Sequence, residues 1–257
     1  MEQTSQALSG KHAVVTGGAR GIGAAVTRAL VGHGASVTML GRSPGPAADL
    51  ADGPHLHYAQ ANVCEPEELQ RAFDAARASF GPIHILVNNA GQGRSAPFVK
   101  TDLALWRAMM QVNLDGSFYC IHQVLPAMLG AGWGRIVNIA STAGLIGYAY
   151  VSAYCAAKHG LIGLTRALAL EVANKGVTVN AVCPGYTETE MLQQTIDGIV
   201  AKTGRTPVEA RAELSSKNPQ KRMIQPEEVA NAVTWLCLPG SEAVTGQSIA
   251  VAGGEVM

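Results

Sequence analysis

The sequence predicts an α/β fold: a doubly wound, Rossmann-like parallel sheet of seven strands with helices on both faces, in a single domain spanning 1–257. Three observations predict it. Short β-rich runs alternate with longer segments of helical period, which calls for crossover connections and therefore parallel pairing. A glycine-rich turn stands directly between the first strand and the first helix, where open α/β sheets hold phosphate groups. No low-complexity linker or internal repeat divides the 257 residues, a length that suits one large domain.

The elements follow in order. His12–Thr16 (HAVVT) is a β-rich run, and residues 22–33 place Ile22, Val26, Ala29 and Leu30 on one helical face. Residues 35–40 form the next strand and 56–61 a weaker one. Residues 65–80 open with Pro66 in the first turn and Glu67 and Glu68 beside it, as a helix N-terminus and its positive dipole end favour. Residues 83–87 (IHILV) make a buried strand. Residues 102–129 read as one helix capped by Thr101. A strand at 135–140, a helix at 151–174 and a strand at 177–182 come next. Residues 226–238 repeat the Pro-Glu-Glu opening, and 247–251 is the last strand. The irregular stretch is 185–225, with weak helical pattern around 191–201 and 207–215. An insertion of that length reads as a substrate lid.

Composition excludes several classes. A 47% hydrophobic content supplies a core and excludes disorder. Lys+Arg 19 against Asp+Glu 19 removes the electrostatic basis for binding nucleic acid or an anionic membrane. Residues 136–157 carry no formal charge and are long enough to cross a bilayer. They contain Asn138, Ser141, Thr142, Ser152 and three tyrosines, however, and read as a strand, a loop and a helix start. The first ten residues are polar and show no export signal, so a cytoplasmic location is expected. Cys64, Cys120, Cys155, Cys183 and Cys237 are scattered without a C-x-x-C pair and read as reduced, mostly buried thiols. His55 and His57 have no third ligand nearby, so no metal is expected.

The turn Thr16-Gly-Gly-Ala-Arg-Gly-Ile-Gly23 carries glycines at Gly17, Gly21 and Gly23, with Ile22 between the last two. These allow a tight turn and close backbone approach, and the helix behind offers unpaired N–H groups to a pyrophosphate. An NAD site places an acid at the end of the second strand to bind the ribose 2′-hydroxyl. Here that stretch reads Thr38-Met-Leu-Gly-Arg42-Ser43, with Gly41 at the expected position. Arg42 and Ser43, with Arg20 from the glycine loop, can instead hold a 2′-phosphate. NADP(H) is favoured and NAD(H) is the alternative.

Tyr154 and Lys158 are spaced i, i+4 on a predicted helix, so the ammonium can approach the phenol and draw its pKa toward a useful range. Ser141 lies at the mouth of the strand before it. With these residues stand Asn88-Asn-Ala-Gly91, Asn113 and Pro184-Gly185. On this set, in order and spacing, the chain resembles the single-domain short-chain dehydrogenase/reductase family over essentially its whole length. The resemblance implies the following roles. Tyr154 is the general acid or base, Ser141 polarises the substrate oxygen, and Lys158 lowers the pKa of Tyr154 and binds the nicotinamide ribose. Asn113 positions a water that relays protons to Lys158. Asn89, Ala90 and Gly91 pass the adenosine ribose, and Pro184, Gly185, Thr187 and Thr189 orient the carboxamide. Asn62-Val63 stands where the family has Asp-Val near the adenine, and the Asn62 amide oxygen can still accept from the adenine amino group. A homotetramer, formed through the last helix and strand with the chain end at 252–257, is also implied.

Within the family, the pattern is similar to 3-oxoacyl-thioester and polyketide ketoreductases and to 3-hydroxybutyrate dehydrogenases. The latter bind a free carboxylate with basic residues. Residues 142–153 contain no Lys, Arg or His, and a bare carboxylate there would be poorly compensated. A neutral 3-oxoacyl thioester, on coenzyme A or acyl carrier protein, fits better. An NAD-dependent 3-hydroxyacyl-CoA or secondary alcohol dehydrogenase is the alternative. Gln92 and Arg94 are candidate polar contacts. Leu145, Ile146, Tyr148, Tyr186, Met191 and Leu192 can line an apolar pocket, and the same side chains also suit core or interface roles. A dinucleotide-binding regulatory protein without turnover is the non-enzyme alternative, against which the intact Asn113, Ser141, Tyr154 and Lys158 speak.

Overall fold

In the computed structural model, residues 6–46, 50–51 and 53–257 are described; residues 1–5 of the polar start lie outside them. The strands are β1 (His12–Thr16), β2 (Ser36–Gly41), β3 (Leu56–Gln60), β4 (Ile85–Asn88), β5 (Gly134–Ile139), β6 (Val177–Pro184) and β7 (Ser248–Val251). They form one sheet in the order β3-β2-β1-β4-β5-β6-β7. Every neighbouring pair is parallel, so the predicted seven-stranded doubly wound sheet is what the chain builds. The winding reverses between β1 and β4, which opens a crevice at the carboxyl ends of those two strands.

The helices are α1 (Gly21–Gly32), α2 (Pro66–Phe80), α3 (Leu103–Met110), α4 (Gly116–Ala131), α5 (Ser152–Val172), α6 (Glu190–Thr203), α7 (Pro207–Ser216) and α8 (Pro226–Cys237). Alternation along the strands sorts the core into two layers. Val14, Leu86 and Ile136 face α2, α4 and α5 through Phe73, Val124 and Leu168. Val15, Val87 and Val137 face α1 and α8 through Val26, Leu30 and Val233. Strand residues buried on both faces explain the continuous apolar runs in the sequence.

Three local expectations are corrected. Asp102, not Thr101, caps α3: its side chain accepts from Leu105 N at 2.7 Å. Residues 102–129 are not one helix, because a π-helical turn, Gln111–Asp115, separates α3 from α4. Residues 185–225 are more ordered than their pattern suggests. Helices α6 and α7 pair over a small core of their own, made by Leu192, Ile196, Ala210, Leu214 and Met223. A capping box between Thr206 and Glu209 starts α7.

The uncharged segment 136–157 resolves into β5, a 3-10 turn at Thr142–Gly144 and the start of α5. Among the described residues no helix is long and apolar enough to cross a membrane. All five cysteines are free, with Cys120, Cys183 and Cys237 buried.

Candidate active site

The glycine loop leaves β1 at the crevice. Gly17 (φ 64°) and Gly21 (φ 49°) lie in the left-handed region, which favours glycine. Gly23 is required by space, since a Cβ there would stand 2.1 Å from Gly17 O and 2.6 Å from Asn89 Nδ2. The loop is clamped to the end of β4. Asn89 Nδ2 donates to Thr16 O (2.9 Å) and Gly17 O (3.2 Å), while Thr16 Oγ1 accepts from the backbone N–H groups of Asn89 and Ala90. Arg20 is the N-cap of α1 without a side-chain capping bond, and the first turn holds no acid. Its N–H groups therefore face the crevice as an uncapped anion cradle.

At the second strand, the place of the expected acid is filled by another residue. A Cβ on Gly41 would meet Tyr58 Oη at 2.6 Å, and Tyr58 Oη is fixed by donating to Ser43 O at 2.7 Å. The structure brings Arg20 and Ser43 together through a guanidinium–hydroxyl bond and ties Arg20 Nη1 to Glu190 Oε2 at 3.3 Å. Arg42 does not join them. It reaches across to Gln92, whose amide oxygen, turned toward it, accepts from Nη1 (3.0 Å) and Nη2 (3.1 Å). Asn62 Oδ1 accepts from Cys64 N at 3.2 Å, and its second lone pair is left for a ligand donor. Val63 is buried against Gly116 at the start of α4.

Tyr154, Lys158 and Ser141 come together in space. Tyr154 and Lys158 sit on one face of α5, with Lys158 Nζ 5.7 Å from the Tyr154 ring centroid and donating to Ile139 O at 2.8 Å. Ser141, at the end of β5, is hydrogen-bonded to Tyr154, and its Oγ accepts from Ala143 N at 3.1 Å. Contrary to the expected lowering by Lys158, burial pushes the Tyr154 phenol up to about 12, opposed by the Ser141 bond. Burial pushes the Lys158 ammonium down to about 8.

Asn113 stands in the π turn and is fully buried. Its Oδ1 accepts from Gln92 N (3.1 Å), and its Nδ2 donates to Gln92 O and Met109 O (2.9 Å each). A methyl on Gly91 would lie 2.8 Å from Asn113 Oδ1 and 3.6 Å from Lys158 Nζ. That glycine keeps open the space between the two residues. The cradle, the uncapped helix end and this opening fit a nicotinamide dinucleotide, and among the described residues no cluster suits a metal ion.

The wall opposite is built from β6 and the chain after it. Thr187 Oγ1 donates to Gly185 O (2.9 Å), and Thr189 caps α6. The Thr189 methyl stands 3.0 Å from where a Gly21 Cβ would be. Met191 Sδ is 4.0 Å from the corresponding point on Gly93. Tyr148 and Tyr186 meet edge to face at 6.5 Å. Leu145 packs on the core with Ala140 and Leu161, and Arg94 is exposed. Glu190, Lys217 and Glu255 also reach these groups, and sequence reasoning missed all three. Consecutive glycines, Gly253 and Gly254, are the only local sign that the chain turns back at Glu255.

The family model described as "short chain dehydrogenase" matches residues 11–200. The chain is 37% identical over 253 residues to the D-beta-hydroxybutyrate dehydrogenase of Rhizobium meliloti (strain 1021), covering 95% of this chain and 98% of that one. It is equally 37% identical over 253 residues to the 3-oxoacyl-[acyl-carrier-protein] reductase FabG of Aquifex aeolicus (strain VF5), covering 96% and 98%. A crystal structure of a single-residue variant of actinorhodin polyketide ketoreductase with NADPH superposes with a TM-score of 0.89 at 36% identity, covering 95% of this chain and 97% of that one. With this sheet, this crevice and this tyrosine–lysine pair, the protein is an oxidoreductase that interconverts a ketone and an alcohol with NAD(P)(H), and the chain belongs to the short-chain dehydrogenase family.

Proposed function

We propose that the enzyme is an NADPH-dependent reductase of a neutral ketone, a 3-oxoacyl thioester carried on coenzyme A or acyl carrier protein. One observation carries this reading: a cation, Arg20, stands beside Ser43 at the adenosine end of the crevice and none stands in the substrate loop. Arg20 and Ser43 pair where a 2′-phosphate needs donors, and Tyr58 Oη stands 2.6 Å from where a Gly41 Cβ would be, so no acid is present there. Residues 142–153, beside Ser141 and Tyr154, hold no Lys, Arg or His.

The bound cofactor supplies the hydride. The protein's own groups handle the oxygen and its proton. Ser141 Oγ holds the carbonyl oxygen, and Tyr154 Oη, protonated throughout the neutral range, donates its proton to it as charge develops. The Lys158 ammonium below the ring favours the phenolate as it forms. Asn113 fixes the backbone at Gln92 and with it the floor of the nicotinamide site. Thr187 and Thr189 line the carboxamide side, and the α6–α7 pair acts as the lid. A homotetramer accords with the exposed apolar side chains Phe118 on α4 and Leu170 on α5.

A second reading, an NAD-dependent 3-hydroxyacyl-CoA or secondary alcohol dehydrogenase, is favoured by the Arg42–Gln92 pairing, which holds one cation away from the phosphate position. Steady-state reduction of acetoacetyl-coenzyme A with NADPH and with NADH separates the two. The reading expects NADPH to be preferred by about tenfold or more, with the preference lost in Arg20→Ala and turnover lost in Tyr154→Phe. A preference for NADH overturns the cofactor assignment.

A further inference from the structure

The segment after β7 folds back into the substrate wall. Gly253 (φ 60°) and Gly254 (φ 90°) lie in the left-handed region, and both are packed against the chain that follows α7. A Cβ on Gly253 would stand 2.2 Å from Asn218 Oδ1, and one on Gly254 3.3 Å from Pro219 Cγ. Glu255 is thus delivered to a set place. Its Oε1 accepts from Tyr148 Oη at 2.6 Å, and its Oε2 lies 3.0 Å from the point a Gly185 Cβ would occupy. A side chain at 185 would press on the carboxylate. The glycine next to Pro184 leaves room for an acid from elsewhere.

The Tyr148 hydroxyl also bonds to Thr142 Oγ1 at 2.9 Å. A phenol has one proton, and a carboxylate is its stronger acceptor, so Thr142 donates to the phenol oxygen in turn. The chain Thr142–Tyr148–Glu255 therefore runs from the neighbour of Ser141 to a half-buried negative charge. Tyr186, edge-on to Tyr148, completes the wall. A cation also touches this chain: Lys217 Nζ sits 4.8 Å over the face of the Tyr148 ring. It is exposed, so water screens it more strongly than it screens Glu255.

We propose that Glu255 determines specificity: its carboxylate, held on Tyr148 beside the catalytic loop, bars ketones that carry a free carboxylate and admits the same ketones as esters or thioesters. This rests on the reading above and names the feature of that site that makes it one for neutral substrates. The absence of basic residues from 142–153 merely fails to attract an anion. A fixed negative charge repels one, and specificity is set by such repulsion as much as by attraction.

The test compares ethyl 3-oxobutanoate with 3-oxobutanoate, reduced with NADPH by wild type, Glu255→Gln and Glu255→Ala. The glutamine amide still accepts from Tyr148, so this variant removes charge alone. The expected result is a fall of about tenfold in the ester-to-acid ratio of kcat/KM in both variants, driven by gain on the acid. A ratio moved in Glu255→Ala but not in Glu255→Gln shows a structural role and overturns the proposal, as does a wild type that prefers the acid. If wild type reduces neither compound, the thioester reading fails on its own account. Titration of 3-hydroxybutyrate onto the enzyme–NADP+ complex then still reads the charge. Tighter binding in Glu255→Gln than in wild type supports the proposal, and unchanged or absent binding rejects it.

Discussion

Asn113 and Gln92 hold each other by both ends of one amide: Oδ1 accepts from the Gln92 N–H at 3.1 Å and Nδ2 donates to the Gln92 carbonyl at 2.9 Å. The arrangement resembles one rung of a sheet ladder made by a side chain. It is available because the π turn at Gln111–Asp115 interrupts the α3–α4 rod at that point, a feature that often marks a functional position. Removing the Asn113 amide takes these partners from the Gln92 N–H and carbonyl, beside the proposed nicotinamide site.

Asn113→Ala is therefore expected to lower kcat/KM by about 10–100-fold through lost positioning. A lower melting temperature should accompany it, because a buried cluster loses three bonds. Asn113→Asp keeps the acceptor and loses both donations, so it should resemble the alanine variant. An aspartate variant with wild-type turnover would show that the Gln92 carbonyl needs no anchor.

The pH dependence of reduction should be set by Lys158 rather than by Tyr154. The phenol, pushed up to about 12, stays protonated across the working range. The ammonium, pushed down to about 8, is charged below that value and neutral above it. The kcat/KM for ketone reduction should therefore be flat below pH 7 and decline through about 8. Lys158→Met should be slower throughout and lack the descending limb. A wild-type profile level to pH 10 would separate Lys158 from the reaction.

What could be read from the sequence and what could not divides along contact distance. The glycine cradle, the alternation of strands and helices, and the Tyr154–Lys158 spacing are local patterns, and the fold realises them with boundaries shifted by a residue or two. The π turn was hidden because residues 111–115 continue an apolar helical period, so nothing in QVNLD distinguishes it from its flanks. Helices α6 and α7 were faint because their apolar faces serve a small separate core, which needs few large side chains. The Tyr148–Glu255 bond joins positions 107 apart in sequence, and the destination of Arg42 depends on where the chain after β4 passes. Neither had a periodic signature to betray it.

The glycine loop predicts its own mutational contrast. Gly23→Ala puts a methyl 2.1 Å from Gly17 O and 2.6 Å from Asn89 Nδ2. The loop and its clamp must shift together, at a destabilisation of about 1–3 kcal/mol. Binding of NADPH, followed by fluorescence titration, should weaken by more than about tenfold. Gly32, at the far end of the same helix, has nothing within 4 Å of its added Cβ. Gly32→Ala should stabilise by about 0.5–1 kcal/mol with unchanged cofactor affinity. Equal losses in both variants would point to helix α1 in general rather than to the cradle.

Stability should fall in mild acid because of His12, at the opposite end of β1 from the crevice. Its ring is buried: Nδ1 bonds Gly81 O at 3.0 Å and Nε2 pairs with Thr38 Oγ1 at 2.9 Å, which suits a neutral imidazole donating through one nitrogen and accepting through the other. Burial lowers its pKa from 6.5 to about 4, with the nearby His84 and His57 acting in the same sense and the Gly81 bond opposing. His84 is itself lowered, by burial and Lys11. The unfolded chain therefore binds protons that the folded chain refuses. The His12 contribution is complete above about pH 6.5 and is lost progressively as pH falls toward 4. It amounts to about 3 kcal/mol at most. Denaturant unfolding at pH 7.5 and pH 5 measures it, and His12→Gln, which keeps a donor and an acceptor without the titration, should flatten the difference. If the glutamine variant loses as much stability as wild type between those two pH values, another group governs the acid limb.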